Sequence, residues 1–226
     1  MAGTHTQRII GILMDSFLPL LKAGIYFTVP LTIISFVLGL ILAFLTALAR
    51  LSGIKPLRAI AAFYVWIVRG TPLLVQLFII FYGLPSIGVT INNFPAAVIG
   101  FTLSVGAYNS EIIRAAILSV AKGQWEAAYS IGMTKRQAMR RIIIPQAVRV
   151  SLPPLGNSFI SLVKDTSLAA VITVTEMFEV AQEITAATYE PLWMYIEAAF
   201  IYLMLSTVLT YLQHRMERRY ERYVAK

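Results

Sequence analysis

Five apolar runs limit what this chain can fold into more than any other feature does. They lie at about 24–49, 60–84, 95–120, 152–174 and 192–213. Each is long enough to cross a hydrocarbon layer of ~30 Å, which takes roughly 20 helical residues. Only 13% of the 226 residues are charged, whereas soluble domains are typically about a quarter charged. The sequence therefore predicts a single all-α transmembrane domain, 1–226, with five membrane-spanning helices.

The net charge of +8 could suggest nucleic-acid binding, but most of the basic residues are expected on one side of the membrane. This placement is typical of residues that determine membrane topology. Of 19 Lys and Arg, three follow the first run, six the third and five the fifth. The last five are Arg215, Arg218, Arg219, Arg222 and Lys226. The positive-inside rule then predicts an external N-terminus and a cytoplasmic C-terminus. The apolar stretch 9–21 is short and predicts an interfacial helix, not a sixth span.

The segment 121–150 joins the third and fourth runs and predicts a helix, a tight turn and a second helix. Gly132 fits the position just after a short helix at 124–131, because glycine enters the left-handed region without steric cost. Thr134 and Gln137 match a capping box that would begin the second helix. Pro145 disfavours continuation of that helix.

The same segment resembles the EAA loop of ABC importer permeases. The family pattern is EAA, three residues, Gly, nine residues, then Ile-x-Leu-Pro, and Ile144 stands where the leucine is usual. The matching residues are Glu126, Ala127, Ala128, Gly132, Ile142 and Pro145. Charge bias alone explains a basic loop but not this spacing. The resemblance implies that an ATPase couples to the segment through Glu126, Ala127, Ala128, Gly132, Met133 and Arg136.

Other stretches are similar to the polar amino acid permeases of that family. They are RGTPLLVQLF at 69–78, AYNSEIIRAAI at 107–117, GQWEAAYSIGM at 123–133 and SFISLVKDTSLAA at 158–170. Within the last, SLVKDTSLA most resembles permeases for cystine and related amino acids. The resemblance implies the type I ABC importer permease fold and uptake of a polar amino acid, cystine in particular, by alternating access.

The resemblance also implies partners. A second permease copy or a paralogue would complete a homodimer or heterodimer, and cytoplasmic ATPase subunits would bind below it. ATP and Mg²⁺ would bind those ATPases, so that this chain needs no cofactor of its own. An extracytoplasmic solute-binding protein would deliver the amino acid. The expected location is the inner membrane of a prokaryotic cell, crossed several times.

The chain's own residues fit a subunit without a catalyst. It contains no cysteine, and its two histidines, His5 and His214, lie near opposite ends and outside the predicted spans. It has no GxxxxGK[ST] motif to hold ATP phosphates. Two other classes remain open at this point: a self-sufficient secondary carrier or channel, and an integral membrane enzyme. Secondary transporters often show repeated halves, which five unrepeated spans fit poorly.

Charges inside the predicted spans are candidates for function, because charges at membrane depth are rare. Glu111 and Arg114 lie three apart on one helix face and predict an ion pair near the cytoplasmic boundary. Arg69 is similarly deep, and Gly70 and Pro72 beside it predict a kink or break. A structural anchor and a pathway residue are both open for Arg69.

Lys164 and Asp165 lie deepest, near the middle of the fourth run. A zwitterionic amino acid needs one charge of each sign, which this pair supplies, and a discontinuous helix there would offer backbone groups to a solute. The alternative is a structural pair that binds neighbouring helices. The predicted substrate-binding residues are Lys164, Asp165, Thr166, Gln76 and Asn157, although Gln76 also suits an interhelical hydrogen bond.

Two loops are predicted on the outer face. The loop at 85–94 carries no charge, and the charged side chains of the loop at 176–190 are all acidic. These are Glu176, Glu179, Glu183 and Glu190. We expect both loops to meet the solute-binding protein, because complementary charge speeds encounter and fixes register.

Overall fold

The computed structural model describes the backbone of residues 2–221 and the side chains of residues 5–218. Arg222 and Lys226 lie outside the described residues, and so does the side chain of Arg219. Within the described range every regular element of secondary structure is a helix, which confirms the predicted fold class. The α-helices are α1 Ala2–Ala23, α2 Val29–Leu51, α3 Lys55–Gly70, α4 Leu73–Phe78, α5 Asn93–Ser119, α6 Lys122–Ser130, α7 Lys135–Ala138, α8 Ile144–Asp165, α9 Met177–Thr188 and α10 Pro191–Glu221.

Three helices in this range are long and apolar enough to cross a membrane: His5–Leu51, Asn93–Ser119 and Pro191–Arg218. The number rises to five if each of two bent pairs forms one span. Those pairs are Lys55–Gly70 with Leu73–Ile87, and Lys135–Ile172 with Met177–Thr188. The five predicted spans agree with the upper number.

The first membrane helix is longer than the sequence suggested. The stretch 9–21, predicted as an interfacial helix, belongs to α1, which has 22 residues. α1 continues through a π-helical turn, Gly24–Thr28, directly into α2. Ala23 and Val29 on either side of this turn keep right-handed helical backbone angles, so the chain has no break there.

Prolines follow π-helical turns at three places in the chain. The turns are Gly24–Thr28, Ile79–Gly83 and Met139–Ile143, and the prolines two residues beyond them are Pro30, Pro85 and Pro145. After the third turn, the N–H of Ile144 reaches back five residues to the carbonyl of Met139. The wider turn changes the position of the carbonyls that a proline ring would otherwise meet. The expectation that Pro145 would disfavour helix was therefore wrong, because α8 runs on through it.

The predicted break beside Arg69 is confirmed. α3 ends at Gly70, and both Thr71 and Pro72 are extended, with ψ of 145° and 136°. Proline restricts the preceding residue to extended backbone, which explains the conformation of Thr71. α4 begins directly afterwards at Leu73 and continues through Ile79–Gly83 into the 3-10 turn Leu84–Ile87.

The chain forms two compact units, and α2, α5, α8 and α10 each contribute residues to both. Unit 1 comprises the chain up to Phe36, Pro72–Phe101 and Ile160–Thr210. Its core joins α1, α9 and α10 through Leu20, Met177, Ala181, Ala198 and Ile201. Unit 2 comprises Val37–Thr71, Thr102–Phe159 and the chain from Tyr211. Its core is formed by Ala43, Ala47, Ile113, Ala116, Ile117, Val120, Ile143 and Ala147.

Candidate functional site

The first half of the predicted coupling segment is α6, and its end has the expected glycine cap. Ser130 is the last residue of the helix and Ile131 is its C-cap, and Gly132 follows with φ of +78°. The N–H of Gly132 donates to the carbonyl of Tyr129 at 2.9 Å, and the N–H of Met133 donates to that of Ala128 at 3.1 Å. These two bonds form a Schellman motif, which satisfies carbonyls that the helix end would leave unpaired.

The second half begins with the predicted capping box. The hydroxyl of Thr134 accepts the N–H of Gln137 at 3.3 Å, and the side-chain oxygen of Gln137 accepts the N–H of Thr134 at 2.8 Å. α7 is only four residues long and leads into the π-helical turn Met139–Ile143. The segment is therefore a helix, a tight turn and a second helix, each end held by local hydrogen bonds.

The side chains of this segment divide into anchors and exposed groups. Ala128 and Ala138 are buried, and Ile143 belongs to the core of unit 2. Of the other predicted coupling residues, Met133 is half-buried and four are exposed: Glu126, Ala127, Gly132 and Arg136. Ala128 thus anchors the segment within unit 2, whereas the exposed residues are available to a partner.

Two exposed apolar residues in the segment were missed by the sequence reasoning. Ile131 is 72% exposed and Tyr129 is 46% exposed. They lie on either side of the helix end, among basic residues. The sequence did contain a signal for them. Tyr129 and Ile131 are large apolar residues within three positions of the capping glycine, in a segment that lies outside the predicted spans.

The predicted solute-binding residues near the end of α8 lie together in unit 1. Lys164 and Asp165 are the last residues of α8, and both are exposed. A 3-10 helix, Thr166–Ile172, starts at once with the fully buried Thr166. α4, which carries the half-buried Gln76, packs against this 3-10 helix. The predicted discontinuity of the fourth span is therefore present, as a change from α to 3-10 geometry.

Asn157 belongs to unit 2 and has a contact of its own there. Its side-chain oxygen accepts a hydrogen bond from the amide of Gln213 in α10, at 3.2 Å. The same amide donates to the carbonyl of Pro153 at 3.2 Å and to Glu217 at 2.8 Å. A Cβ on Gly156 would come within 2.8 Å of the Gln213 side chain, so the glycine leaves room for this contact. Asn157 thus joins two helices.

Glu111 forms the predicted ion pair and a second one that was not predicted. Arg114 donates to it at 2.8 Å, and Arg50 of α2 also pairs with it. Arg50 was missed because it lies on another helix, distant in sequence. Arg69 places its guanidinium over the ring of Tyr108, 5.2 Å from the centroid. These contacts favour the anchoring interpretation for Glu111 and add an aromatic partner for Arg69.

The acidic loop predicted on the outer face is mostly helix, and one of its acids is not on the surface. α9 occupies Met177–Thr188, and Glu176 caps its start by accepting the N–H of Glu179 at 2.9 Å. The carboxylate of Glu176 is fully buried and accepts the hydroxyl of Tyr202 at 2.7 Å. The expectation that Glu176 meets a partner was therefore wrong, because a fully buried side chain presents no charge to one.

Residues 35–222 match the family of binding-protein-dependent transport system inner membrane components. The chain belongs to this family, and it is a non-catalytic, multi-pass inner membrane permease of the polar amino acid ABC importers. The assignment decides among the three classes that the sequence left open, against a self-sufficient carrier or channel and against a membrane enzyme. Importers of this kind also have ATPase and solute-binding-protein partners.

Individual relatives sharpen this assignment. The chain is 60% identical over 216 residues to the L-cystine transport system permease protein TcyB of Bacillus subtilis (strain 168), covering 95% of this chain and 92% of that protein. It is 42% identical to the probable amino-acid ABC transporter permease protein YckA of the same organism, covering 93% of each. A crystal structure described as an amino acid ABC transporter with histidines matches with a TM-score of 0.86 at 40% identity, covering 91% of this chain and 96% of that one.

Proposed function

We propose that this chain is a permease subunit of an importer that takes up L-cystine. The observation that carries the proposal is the 60% identity with an L-cystine permease over 95% of the chain, against 42% with the amino-acid permease YckA. The chemistry is compatible, since cystine carries ammonium and carboxylate groups at both ends. Lys164 and Asp165 are neighbouring exposed residues of opposite charge.

The proposed solute path includes the end of α8. Lys164 would pair with a solute carboxylate, and Asp165 with a solute ammonium group. Gln76 is supplied by α4, which packs on the adjacent 3-10 helix, and Thr166 begins that helix. Asn157 stays a predicted solute-binding residue, and in unit 2 its side chain accepts a hydrogen bond from Gln213. Lys164 and Asp165 lie where the α-helix gives way to a 3-10 helix, and transporters often bind solute at such discontinuities in a helix. This position suits a site that opens to each side of the membrane in turn.

The proposed ATPase dock is α6, the Gly132 turn and α7. The exposed residues Glu126, Ala127, Gly132 and Arg136 supply its polar surface, and Ile131 and Tyr129 supply its apolar surface. The two capped ends make the segment stiff enough to move as one body. ATP and Mg²⁺ would bind the ATPase subunits, and their closure would be transmitted through this segment.

The proposed assembly pairs this chain with a second permease copy or a paralogue. The N-terminus would lie outside and the C-terminus in the cytoplasm, as the positive-inside rule predicts. The solute-binding protein would then meet the uncharged 85–94 loop and the exposed part of α9. Glu183 is exposed there, whereas Glu176 is not.

Uptake by the reconstituted importer tests the substrate and the site together. Proteoliposomes with the permease, its ATPase and its binding protein should accumulate labelled cystine only when ATP is inside the vesicles, on the side where the ATPase lies. Asp165→Asn should raise the apparent KM roughly tenfold or more, because a charge-assisted hydrogen bond contributes about 1.5–3 kcal/mol. Asp15→Asn removes an exposed acid of α1 and is the matched control. We expect it to leave the KM unchanged.

Three results would count against these assignments. Accumulation of another amino acid in preference to cystine would refute the substrate. An Asp165→Asn complex that melts early but has a normal KM per folded complex would remove Asp165 from the solute path. Uptake without any ATPase present would contradict the importer mechanism itself.

A further inference from the structure

The chain between α8 and α9, 166–176, has an unusual backbone, and it is called the junction below. Its first part is the 3-10 helix Thr166–Ile172, which is seven residues long. Runs of 3-10 helix longer than three or four residues are uncommon, and within a helical span they often mark a hinge or strain. The 3-10 form rises ~2.0 Å per residue and the α form ~1.5 Å, so conversion to α would shorten this part by about 3.5 Å.

Thr173 closes the 3-10 helix in a conformation that threonine rarely adopts. Its φ is 59° and its ψ is 29°, which is left-handed. Its N–H donates to the carbonyl of Ala170 at 2.9 Å, and the next N–H donates to that of Ala169 at 3.2 Å. Glycine is usual at such a position, because a β-branched residue is strained there. The side chain of Thr173 is exposed, so packing in the protein interior does not explain why threonine stands here instead of glycine.

Side chains from three other elements hold the junction in this form. The amide of Asn93, at the start of α5, donates to the carbonyl of Thr173 at 2.6 Å. The oxygen of the same amide accepts the N–H of Phe94 at 2.8 Å, which fixes the orientation of the amide group. The hydroxyl of Tyr82 donates to the carbonyl of Val171 at 3.1 Å, and that of Tyr202 donates to Glu176.

We propose that the junction changes backbone conformation during the transport cycle, and that Thr173 stores strain which Asn93 retains in the state seen here. Lys164 and Asp165 directly precede the junction, so a change of about 3.5 Å in its length would move them relative to α9. Strain at residue 173 raises the free energy of the conformation in which that residue is left-handed. It therefore brings the two conformations closer in free energy. The inference rests on the proposed solute path and adds the element that moves it.

The chain supplies a matched control. Tyr189 ends α9 with φ of 59° and ψ of 31°, nearly the same angles, and is 85% exposed. Glycine removes the left-handed strain at either position, although it also adds freedom to the unfolded chain. Thr173→Gly and Tyr189→Gly should therefore both raise the melting temperature, by about 2 °C or more. Only the first lies in the junction.

The test compares uptake by the reconstituted importer with melting of the same purified complexes. Thr173→Gly should lower the maximal uptake rate about fivefold, because the relaxed state becomes too favourable to leave. Thr173→Asn should act in the same direction, since asparagine tolerates left-handed backbone. Tyr189→Gly controls for the melting effect alone, because Tyr189 lies in the 176–190 segment that is proposed to meet the solute-binding protein. Adding Asn93→Ala to Thr173→Gly should restore much of the rate, because loss of the Asn93 hydrogen bond destabilises the conformation that glycine makes too favourable.

A Thr173→Gly complex that transports at the wild-type rate would overturn the inference, and so would a double variant that recovers nothing. Uptake is measured with labelled cystine and, in parallel, with a labelled mixture of the common amino acids. Wild-type uptake from the mixture but not of cystine would refute the proposed substrate and still permit the junction test. The two proposals can therefore fail separately.

Discussion

Gly39 of α2 lies so close to α5 that even a methyl group has no room. A Cβ at this position would be 2.5 Å from Cγ1 and 2.6 Å from Cβ of Val105, and 3.2 Å from the carbonyl oxygen of Thr102. Cβ of Val105 is bonded directly to the backbone and Cγ1 is only one bond further out, so neither can swing aside as the end of a long side chain would. Gly39→Ala must therefore push the helices apart or distort Val105.

The size of the effect follows from two opposing terms. Alanine is better than glycine in a helix interior by about 1 kcal/mol. Overpacking a well-filled contact costs about 1–3 kcal/mol. Gly11 of α1 provides the control, since a Cβ there would meet nothing within 4 Å. Gly11→Ala should gain the helix term alone, so the difference between the two variants isolates the packing term.

Thermal unfolding of the detergent-purified protein measures this difference. We expect Gly11→Ala to melt above the wild type and Gly39→Ala below Gly11→Ala by roughly 2–12 °C, at about 2–4 °C per kcal/mol for a chain of this size. Val105→Ala should restore part of the loss in the Gly39→Ala background but should destabilise the wild type. A Gly39→Ala protein that melts as high as Gly11→Ala would refute the packing argument.

Two further predictions concern contacts that hold the candidate sites. Tyr202→Phe should destabilise the protein by about 1–3 kcal/mol, because it removes a hydrogen-bond donor from the buried carboxylate of Glu176. The control Tyr211→Phe, at an exposed position of α10, should change the melting temperature little. Equal melting of the two variants would contradict this. Gly132→Ala should weaken stimulation of the ATPase by loaded binding protein, since alanine costs about 1 kcal/mol in left-handed backbone. Gly53→Ala, equally open and outside the proposed dock, should not, and equal stimulation of the two variants would argue against the dock.

Features that depend on a few neighbouring residues could be predicted from the sequence. The Gly132 turn and the Thr134–Gln137 capping box are of this kind, because each closes within six residues. The break after Gly70 is another, since proline restricts the residue before it whatever the tertiary context. Hydrophobic length likewise predicted helices in all five runs.

Features that depend on distant parts of the chain could not be predicted in this way. Pro145 does not end a helix because a π-helical turn precedes it, and the sequence analysis did not predict that turn. A run of acids without basic residues suggested an exposed loop around Glu176. Its burial depends on Tyr202, 26 residues away on another helix. Arg50 likewise reaches Glu111 only because α2 and α5 share a core.

The partners of the acids near or within the spans bear on the proposed solute path. Glu111 pairs with two arginines, Glu176 accepts a tyrosine hydroxyl and a backbone N–H, and Glu197 accepts the hydroxyl of Ser16 at 2.5 Å. Each of these carboxylates is satisfied by its own chain, as a low-dielectric setting requires. Asp165 is an exposed residue and, within the part of the chain that the structure describes, accepts no hydrogen bond, which is also true of the exposed Asp15 in α1. If Asp165 lies near the middle of a span, as the sequence predicts, its carboxylate is costly there without a donor. That donor would then come from water, a second permease copy or the transported solute.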